Sequence, residues 1–419
     1  MIKMVSRMSI MMALLLMIFS AVAENCHEYL TKPTGYFGVG YQDYHWIDEQ
    51  NCPGDAQYSG FYNGHNAGDF SKDNAKFCRE LMVRVYFPSD QTATTCQQAS
   101  AYYPPLIKKY QEGIEAANIP DITQESIDAM SRIKSYAHSR PGNHLIKKHP
   151  VIFFLPGLSD VAQNYTNIIT SLVSHGYIVI AVNATFVGGP IAFPDGHVVA
   201  SIADDPNITP DQLKAAVHSD FNFVYYHSKQ LSTSDPLFAM MDWSRTGLLG
   251  HSMGAVMSVI FSHEHPSWFK GAVAMAAPAN PNDYHAFQGF DIPFMHIHDA
   301  FWPLMYDSKP PGKFELKDHN YLVKITPNPL DFLYTRHNNF SDFSTLQYQS
   351  AIQGFQNYSV HHGSAGLQLG HADGYQVSKV VNKYLLEFFN QVLNQKESPV
   401  FNDCIPLNDT EIQCGENAI

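Results

Sequence analysis

The strongest candidate for a reactive site is the sequence GHSMG at residues 250–254, which directly follows an apolar run at 246–249. A serine flanked by two glycines, with a strand before it and a helix after it, is typical of a nucleophile elbow. Gly250 and Gly254 are needed because a side chain at either flank of so sharp a turn would collide with neighbouring backbone. The following helix, expected over 255–263, directs its N-terminal dipole at the site. We therefore predict that Ser252 is a catalytic nucleophile.

A serine hydroxyl needs a general base, usually a histidine that a carboxylate orients, and the expected chain order is serine, acid, histidine. The histidine candidates on late loops are His337, His361, His362 and His371. The acid candidates are Asp283, Asp299 and Asp307. Asp299 is preferred because it ends an apolar strand, where a triad acid often lies. Position alone does not choose among the histidines.

The oxyanion formed during acyl transfer needs two backbone donors. One is expected to be the N–H of Met253, the residue after the nucleophile, and the other the N–H of Leu158, in the loop after an earlier strand. This chemistry requires no metal ion and no organic cofactor. Zinc is the alternative, since alternate strand residues share a face and His296, His298, Asp299 and His337 are possible ligands. The elbow explains the same residues better, and we expect no metal site.

Apolar strands alternate with helical patterns from residue 149 onward. Strands are predicted at 151–155, 177–182, 246–249, 271–276 and 292–298, and helices at 164–175, 211–230, 255–263 and 377–393. This alternation predicts an α/β fold with a mostly parallel sheet that helices cover on both faces.

The part before residue 149 contains one clear strand, at 81–87, which we expect to form an antiparallel edge of the same sheet. Helices are predicted there at 105–117 and 124–137. We expect a single domain over 24–419. Its parts are an N-terminal segment (24–148), a catalytic core (149–395) and a C-terminal tail (396–419).

Residues 1–23 have the features of a secretory signal peptide. Lys3 and Arg7 make the start basic, residues 8–19 are apolar, and 21–23 (AVA) provide a small-residue cleavage site. The apolar run is shorter than the about 20 residues that a membrane-spanning helix needs. We therefore expect an exported protein, either secreted or periplasmic.

The cysteine content fits export. All the cysteines follow the predicted leader: Cys26, Cys52, Cys78, Cys96, Cys404 and Cys414. An even number in an oxidising compartment suggests disulfides, and proximity favours a Cys404–Cys414 pair.

A net charge of −13 argues against nucleic acid and against strong binding to anionic membranes. The expected partner is a small-molecule or lipid ester, with at most peripheral membrane contact, and the oligomeric state stays open.

Four groups of motifs resemble the platelet-activating-factor acetylhydrolases, the secreted lipoprotein-associated phospholipases and their bacterial relatives. They are GYFGVG at 35–40 with VRVYFP at 83–88, FLPGL at 154–158 with LVSHGYIV at 172–179, DWSR at 242–245 leading into the elbow, and RHNNFSDF at 336–343. The resemblance runs in order along nearly the whole chain after the leader. It implies an α/β-hydrolase that cleaves short or oxidised acyl chains from phospholipid-like esters, with His337 as the base.

Two departures from that family matter. The family places its acid directly after the strand that follows the elbow helix, where this chain reads MAAP at 275–278 and has no carboxylate. The acid is therefore either Asp299 or missing. The first oxyanion-loop position, commonly histidine, is Pro156 here, which leaves backbone donation from Leu158 intact. The alternatives are a general carboxylesterase or polyester hydrolase, and a non-catalytic binding protein with this fold.

Overall fold

A computed structural model describes residues 30–51, 78–90, 124–139, 147–277 (apart from 197, 200 and 204), 290–299, 319–325, 335–346 and 369–414 (apart from 408 and 409). The predicted leader, at 1–23, and the predicted helix at 105–117 lie outside these residues.

The described strands are, in chain order, β1 (Gly38–Asp48), β2 (Arg79–Ser89), β3 (Ala137–His138), β4 (His149–Leu155), β5 (Ile178–Asn183), β6 (Ile191–Ala192), β7 (Val198–Val199), β8 (Met241–His251), β9 (Gly271–Met275), β10 (Phe294–His298), β11 (Asn320–Lys324) and β12 (Glu411–Cys414). Ten of them form one sheet in the order β12-β11-β10-β9-β8-β4-β5-β2-β1-β3, and β6 pairs with β7. The six strands from β11 to β5 in that order are mutually parallel. The predicted α/β class is therefore confirmed.

The described helices are α1 (Gln124–Arg132), α2 (Thr166–Ser174), α3 (Pro210–Leu231), α4 (Met253–Glu264), α5 (Phe343–Leu346), α6 (Gly374–Asn394) and α7 (Pro399–Asn402). The side chain of Thr209 caps α3 and that of Asp373 caps α6. Strand β4 shows why helices lie on both faces, because it is buried along its whole length. Its Phe153 packs with α3 and α4, whereas Phe154 packs on the opposite face with α2 and α6.

The N-terminal part differs from the sequence-based expectation in one respect. Strand β2 pairs antiparallel with β5 as expected, but β1 pairs along its other side, so β2 is not an edge strand. The sequence of β1, GVGYQDYHWID, mixes polar and aromatic residues and exposes several of them, so no clear alternation marks it. The helix expected over 124–137 ends at Arg132, because Ala137 and His138 pair with β1 instead.

The C-terminal tail adds an edge to the sheet. Strand β12 pairs antiparallel with β11, with Cys414 opposite Tyr321. The predicted disulfide between Cys404 and Cys414 is present, with a Cα–Cα distance of 6.1 Å. Cys78 is also disulfide-bonded, and the other cysteines lie outside the described residues. None of the described helices is long and apolar enough to cross a membrane.

A buried ion pair ties the N-terminal strands to the helical layer. Arg79, at the start of β2, donates from Nε and Nη2 to the two carboxylate oxygens of Asp220 in α3, at 2.8 and 2.7 Å. Nη2 also donates to the carbonyl oxygen of Thr185, at 2.7 Å. Both charged side chains are almost fully buried, with exposed fractions of 3% and 1%. Removal of one charge would take from the other its closest partner in the protein interior.

We expect the substitution Asp220→Asn to lower the free energy of unfolding by about 3 kcal/mol, because the buried Arg79 charge loses the carboxylate that binds it with two hydrogen bonds. The matched control is Asp43→Asn, which breaks the pair between Asp43 and Arg84 (2.6 Å), where the aspartate side chain is 39% exposed. That change is expected to cost less than about 1 kcal/mol. Urea denaturation measures both, and equal losses would contradict the interpretation.

Candidate active site

The geometry of the elbow requires its two glycines. Ser252 lies between β8 and α4 with φ 54° and ψ −118°, a conformation that residues other than glycine rarely adopt. A Cβ added at Gly250 would overlap the carbonyl oxygen of Gly254, and one added at Gly254 would overlap the carbonyl oxygen of Leu155. The backbone at the end of β4 therefore lies directly against the turn that holds the serine.

The loop after β4 lies beside Ser252. A Cβ at Gly157 would be 3.2 Å from the Cβ of Ser252. The N–H groups of Gly157, Ser159 and Asp160 bond to the Tyr165 hydroxyl (3.2 Å), the Val187 carbonyl oxygen (2.9 Å) and the Gly157 carbonyl oxygen (3.1 Å), respectively. The N–H of Leu158 donates to no other group in the part of the chain that the structure describes.

The second expected oxyanion donor, Met253, is the first residue of α4. The first four N–H groups of a helix have no acceptor within the helix. The N–H of Ser252 itself is used, because it donates to the carbonyl oxygen of Met275 at 3.0 Å. Both expected donors, Leu158 and Met253, thus lie on segments that border the serine.

His337 lies beside the residue that precedes the serine. Its carbonyl oxygen is 3.0 Å from Nε2 of His251, and the two imidazole rings are 4.7 Å apart between centroids. His337 is 7% exposed, and burial lowers its pKa to about 4. The predicted base is therefore neutral at neutral pH. Within the described residues no hydrogen bond joins its ring to Ser252 Oγ, although such bonds often tighten only when substrate binds.

Asp342 fixes the segment that carries His337. Its Oδ2 accepts from the N–H of Thr166 at 2.6 Å and its Oδ1 from the N–H of Asn167 at 2.9 Å, at the N-terminus of α2. A carboxylate is favoured there because helix dipoles and unbonded N–H groups attract negative charge. Asn339 adds a second anchor, since its Oδ1 accepts from the N–H of Gly370 at 2.7 Å. The sequence pattern contained Asp342 but assigned it no role.

Asp299 follows β10 and is buried. Strands β8, β9 and β10 are parallel, so Asp299 and Ser252 lie at the same edge of the sheet. The hydrogen bonds of the described residues include none between Asp299 and the His337 ring, so the role of Asp299 stays a prediction.

Ala276, after β9, turns the chain with φ 45°. His371 is exposed just before α6.

The remaining candidate acids and bases are Asp283, Asp307, His361 and His362, which lie outside the described residues.

The suggested metal ligands His296 and His298 stack side by side on β10, with ring centroids 5.6 Å apart. Burial lowers the pKa of His296 to about 3. Across the described part of the chain, no group of three or more His, Cys, Asp or Glu side chains is placed to hold a metal ion.

A set of hydrogen-bonded side chains behind the elbow escaped the sequence analysis. The Tyr165 hydroxyl is 2.9 Å from Oδ2 of Asp160 and 2.7 Å from Nδ1 of His251. Asp160 and Tyr165 lie on the segment after β4, 86 or more residues from His251, and the three meet because β4 and β8 are neighbours. The motif at 250–254 identified His251 only as the residue between glycine and serine.

We expect Asp342→Ala to lower the free energy of unfolding by about 2 to 3 kcal/mol, because two buried N–H groups of α2 lose their acceptor. Asp373→Ala is the matched control: Asp373 is exposed and caps α6 through the N–H of Gln376 at 2.9 Å. Its loss is expected to cost about 1 kcal/mol. Thermal and urea denaturation test the difference, and a larger effect at Asp373 would refute the anchoring role of Asp342.

Comparisons with known proteins agree with this geometry. The family "Platelet-activating factor acetylhydrolase, isoform II" matches residues 25–185, and the family "Putative esterase" matches residues 139–339. A putative non-heme haloperoxidase of Mycobacterium phage D29 is 32% identical over 128 residues, which are 30% of this chain and 36% of that protein. The chain thus matches about a third of the length of this curated relative.

Among solved structures, a ferulic acid esterase from Streptomyces cinnamoneus superposes with a TM-score of 0.65 at 17% identity, over 92% of this chain and 98% of the other. At that identity the likeness shows the shared fold. The two family matches extend from β1 to the His337 segment and include the elbow. The resemblance inferred from the sequence motifs is thereby confirmed: the chain has the fold of the α/β-hydrolases, and its residues 25–185 match the platelet-activating factor acetylhydrolases.

Proposed function

We propose that this protein is a serine ester hydrolase that works through an acyl-enzyme. The observation that carries the proposal is the juxtaposition at the elbow: Ser252 in its positive-φ turn, beside the loop of Leu158 and the segment of His337. These three segments carry the nucleophile, the oxyanion donors and the base of acyl transfer.

In the proposed reaction, neutral His337 takes the proton of Ser252 while the serine oxygen attacks the ester carbonyl. The N–H groups of Leu158 and Met253 stabilise the resulting oxyanion. The protonated His337 then gives its proton to the departing alcohol, and a water molecule releases the acid by the same steps. Asp299 is proposed to orient the imidazole in the working enzyme.

The proposed substrates are short-chain acyl esters, including phospholipid-like ones. The match of residues 25–185 to the platelet-activating factor acetylhydrolases supports this class, because that stretch contains the proposed oxyanion loop. The shared fold with a ferulic acid esterase favours general carboxylic esters, or polyesters, as the second candidate. Export is proposed as well: the leader-like residues 1–23 and the Cys404–Cys414 disulfide support a mature chain that works outside the cytoplasm.

The first test is hydrolysis of p-nitrophenyl acetate, butyrate and palmitate by the chain without residues 1–23. Ser252→Ala and His337→Ala are each expected to lower kcat by about a thousandfold or more, because each removes an essential partner in one proton transfer. His371→Ala is the matched control for the base and should retain full activity. Asp299→Asn should lower kcat with KM unchanged.

The order of rates along the acyl series chooses between short-chain and longer-chain ester hydrolysis. A fluorophosphonate should label the wild-type chain and not Ser252→Ala, since it reacts with an activated serine. If the wild-type chain neither hydrolyses these esters nor reacts with the fluorophosphonate, a non-catalytic binding protein is the better explanation.

The lowered pKa of His337 predicts an unusual pH profile. A general base works in its neutral form, so kcat/KM should rise with pH through about pH 4 and stay level through neutrality. An ordinary histidine would give half-maximal kcat/KM near about pH 6.5. The measurement is kcat/KM for the acetate ester against pH, with return to neutral pH as the check on stability. A midpoint near the ordinary value would contradict burial as the dominant influence on His337.

A further inference from the structure

A chain of hydrogen bonds runs behind the elbow from Asp160 to the backbone of His337. Its links are Asp160 Oδ2 to Tyr165 Oη at 2.9 Å, Tyr165 Oη to His251 Nδ1 at 2.7 Å, and His251 Nε2 to the His337 carbonyl oxygen at 3.0 Å. Tyr165 and His251 are almost completely buried, and Asp160 is partly buried. None of these side chains has a part in the reaction proposed above.

The donors and acceptors along these bonds limit where the protons can lie. The carbonyl oxygen of His337 only accepts, so Nε2 of His251 must carry a hydrogen. In a neutral imidazole Nδ1 is then an acceptor, and the Tyr165 hydroxyl must donate to it. The hydroxyl oxygen also accepts from the N–H of Gly157 at 3.2 Å. The single hydrogen of the Tyr165 hydroxyl then lies in the bond to His251. The bond between Tyr165 and Asp160 therefore needs a second proton.

That second proton has two possible positions. It lies either on Asp160, with His251 neutral, or on Nδ1 of His251, with Asp160 ionised. Burial raises the pKa of Asp160 and outweighs the lowering by its hydrogen bonds with Asn164 and Tyr165. Burial lowers the pKa of His251 well below its ordinary value, and the nearby His337 ring lowers it further, against a smaller rise from the bond to the His337 backbone. The raised pKa of Asp160 and the lowered pKa of His251 both favour the arrangement in which Asp160 is protonated and His251 is neutral.

The other titratable groups within reach do not reverse this preference. His337, whose ring is 4.7 Å from that of His251, would repel a second imidazolium. Asp342 acts on Tyr165 electrostatically, but the N-terminal N–H groups of α2 bind its carboxylate.

We propose that Asp160 is protonated and, through Tyr165, holds His251 as the neutral Nε2–H tautomer, which keeps the ring beside His337 uncharged when His337 accepts the serine proton. This inference rests on the proposed function and adds three positioning residues to it. A charged His251 would oppose the formation of the His337 imidazolium, whereas the neutral tautomer also donates to the backbone of the base and fixes its place.

The test compares Asp160→Asn with Tyr165→Phe. The amide of Asp160→Asn donates to the Tyr165 hydroxyl as the protonated acid does, and its oxygen still accepts from Asn164, which lies 2.6 Å from Oδ1. Its kcat for the acetate ester should therefore stay within about twofold of wild type, with the same pH profile. Tyr165→Phe should lower kcat about tenfold with KM unchanged, because His251 Nδ1 loses its donor.

The matched control for the tyrosine is Tyr177→Phe. Tyr177 is equally buried, and its hydroxyl bonds to Asn390 and Asn394, both at 2.9 Å, on α6. This change removes the same atom from the same kind of environment, so it should leave kcat unchanged. A kcat loss equal to that of Tyr165→Phe would show a general packing effect and overturn the proposal.

Spectroscopy locates the proton without turnover. Nitrogen-15 NMR of labelled histidine should show His251 with Nε2 protonated and Nδ1 bare, unchanged from about pH 5 to 9. Infrared spectra should contain a protonated-carboxyl band that Asp160→Asn removes. An imidazolium at His251, or a tenfold loss of kcat in Asp160→Asn, would overturn the proposal. Since neither spectrum needs catalysis, absence of esterase activity would refute the proposed function alone.

Discussion

The close contact between the end of β4 and the turn after β8 determines how the parts of the candidate site come together. The two strands pair in parallel, with Leu155 opposite Gly250, and Gly254 lies so near the Leu155 carbonyl oxygen that no larger residue fits. This contact sets the loop of Leu158 beside Ser252. It also lets Tyr165, which follows β4, reach His251 at the end of β8. One close approach of the backbone thus positions the proposed nucleophile, the proposed oxyanion donors and the side chains behind them.

The segment of His337 is attached to this centre from two sides. Its backbone accepts from His251, and Asp342 binds the N-terminus of α2. Both attachments are made by buried polar groups whose partners are satisfied, and such networks rigidify the elements that they join. Burial lowers the pKa of both histidines near the elbow, His251 and His337. A site of this kind, with low polarity and fixed N–H dipoles, favours charge that appears only in the transition state.

The sequence predicted the parallel core well, because strands such as β4 and β5 are continuous apolar runs and helices such as α3 have strong end signals. It missed β1, whose residues face water on one side and aromatic rings on the other. The elbow was predictable because its requirement is local: a tight turn demands glycine on both sides. The Asp160–Tyr165–His251 contacts were not, since they join segments distant in sequence and depend on strand order. Asp299 ends a strand as expected, but strand ends alone do not determine which side chain a histidine meets.

The C-terminal disulfide has a consequence for the behaviour of the protein in solution. Strand β12 contributes four residues to the sheet, and beyond the β11–β12 pairing the sheet has no further strand on that side among the described residues. The Cys404–Cys414 bond fastens this short strand at its last residue. In a reducing medium β12 would keep only its pairing with β11 and the contacts that the tail makes with the core, among them the hydrogen bonds of Tyr384 with Leu407 and Thr410. Its departure would bare the backbone donors and acceptors of β11, a template for pairing between molecules. The intact disulfide thus helps to keep this edge of the sheet covered, and reducing conditions weaken that cover.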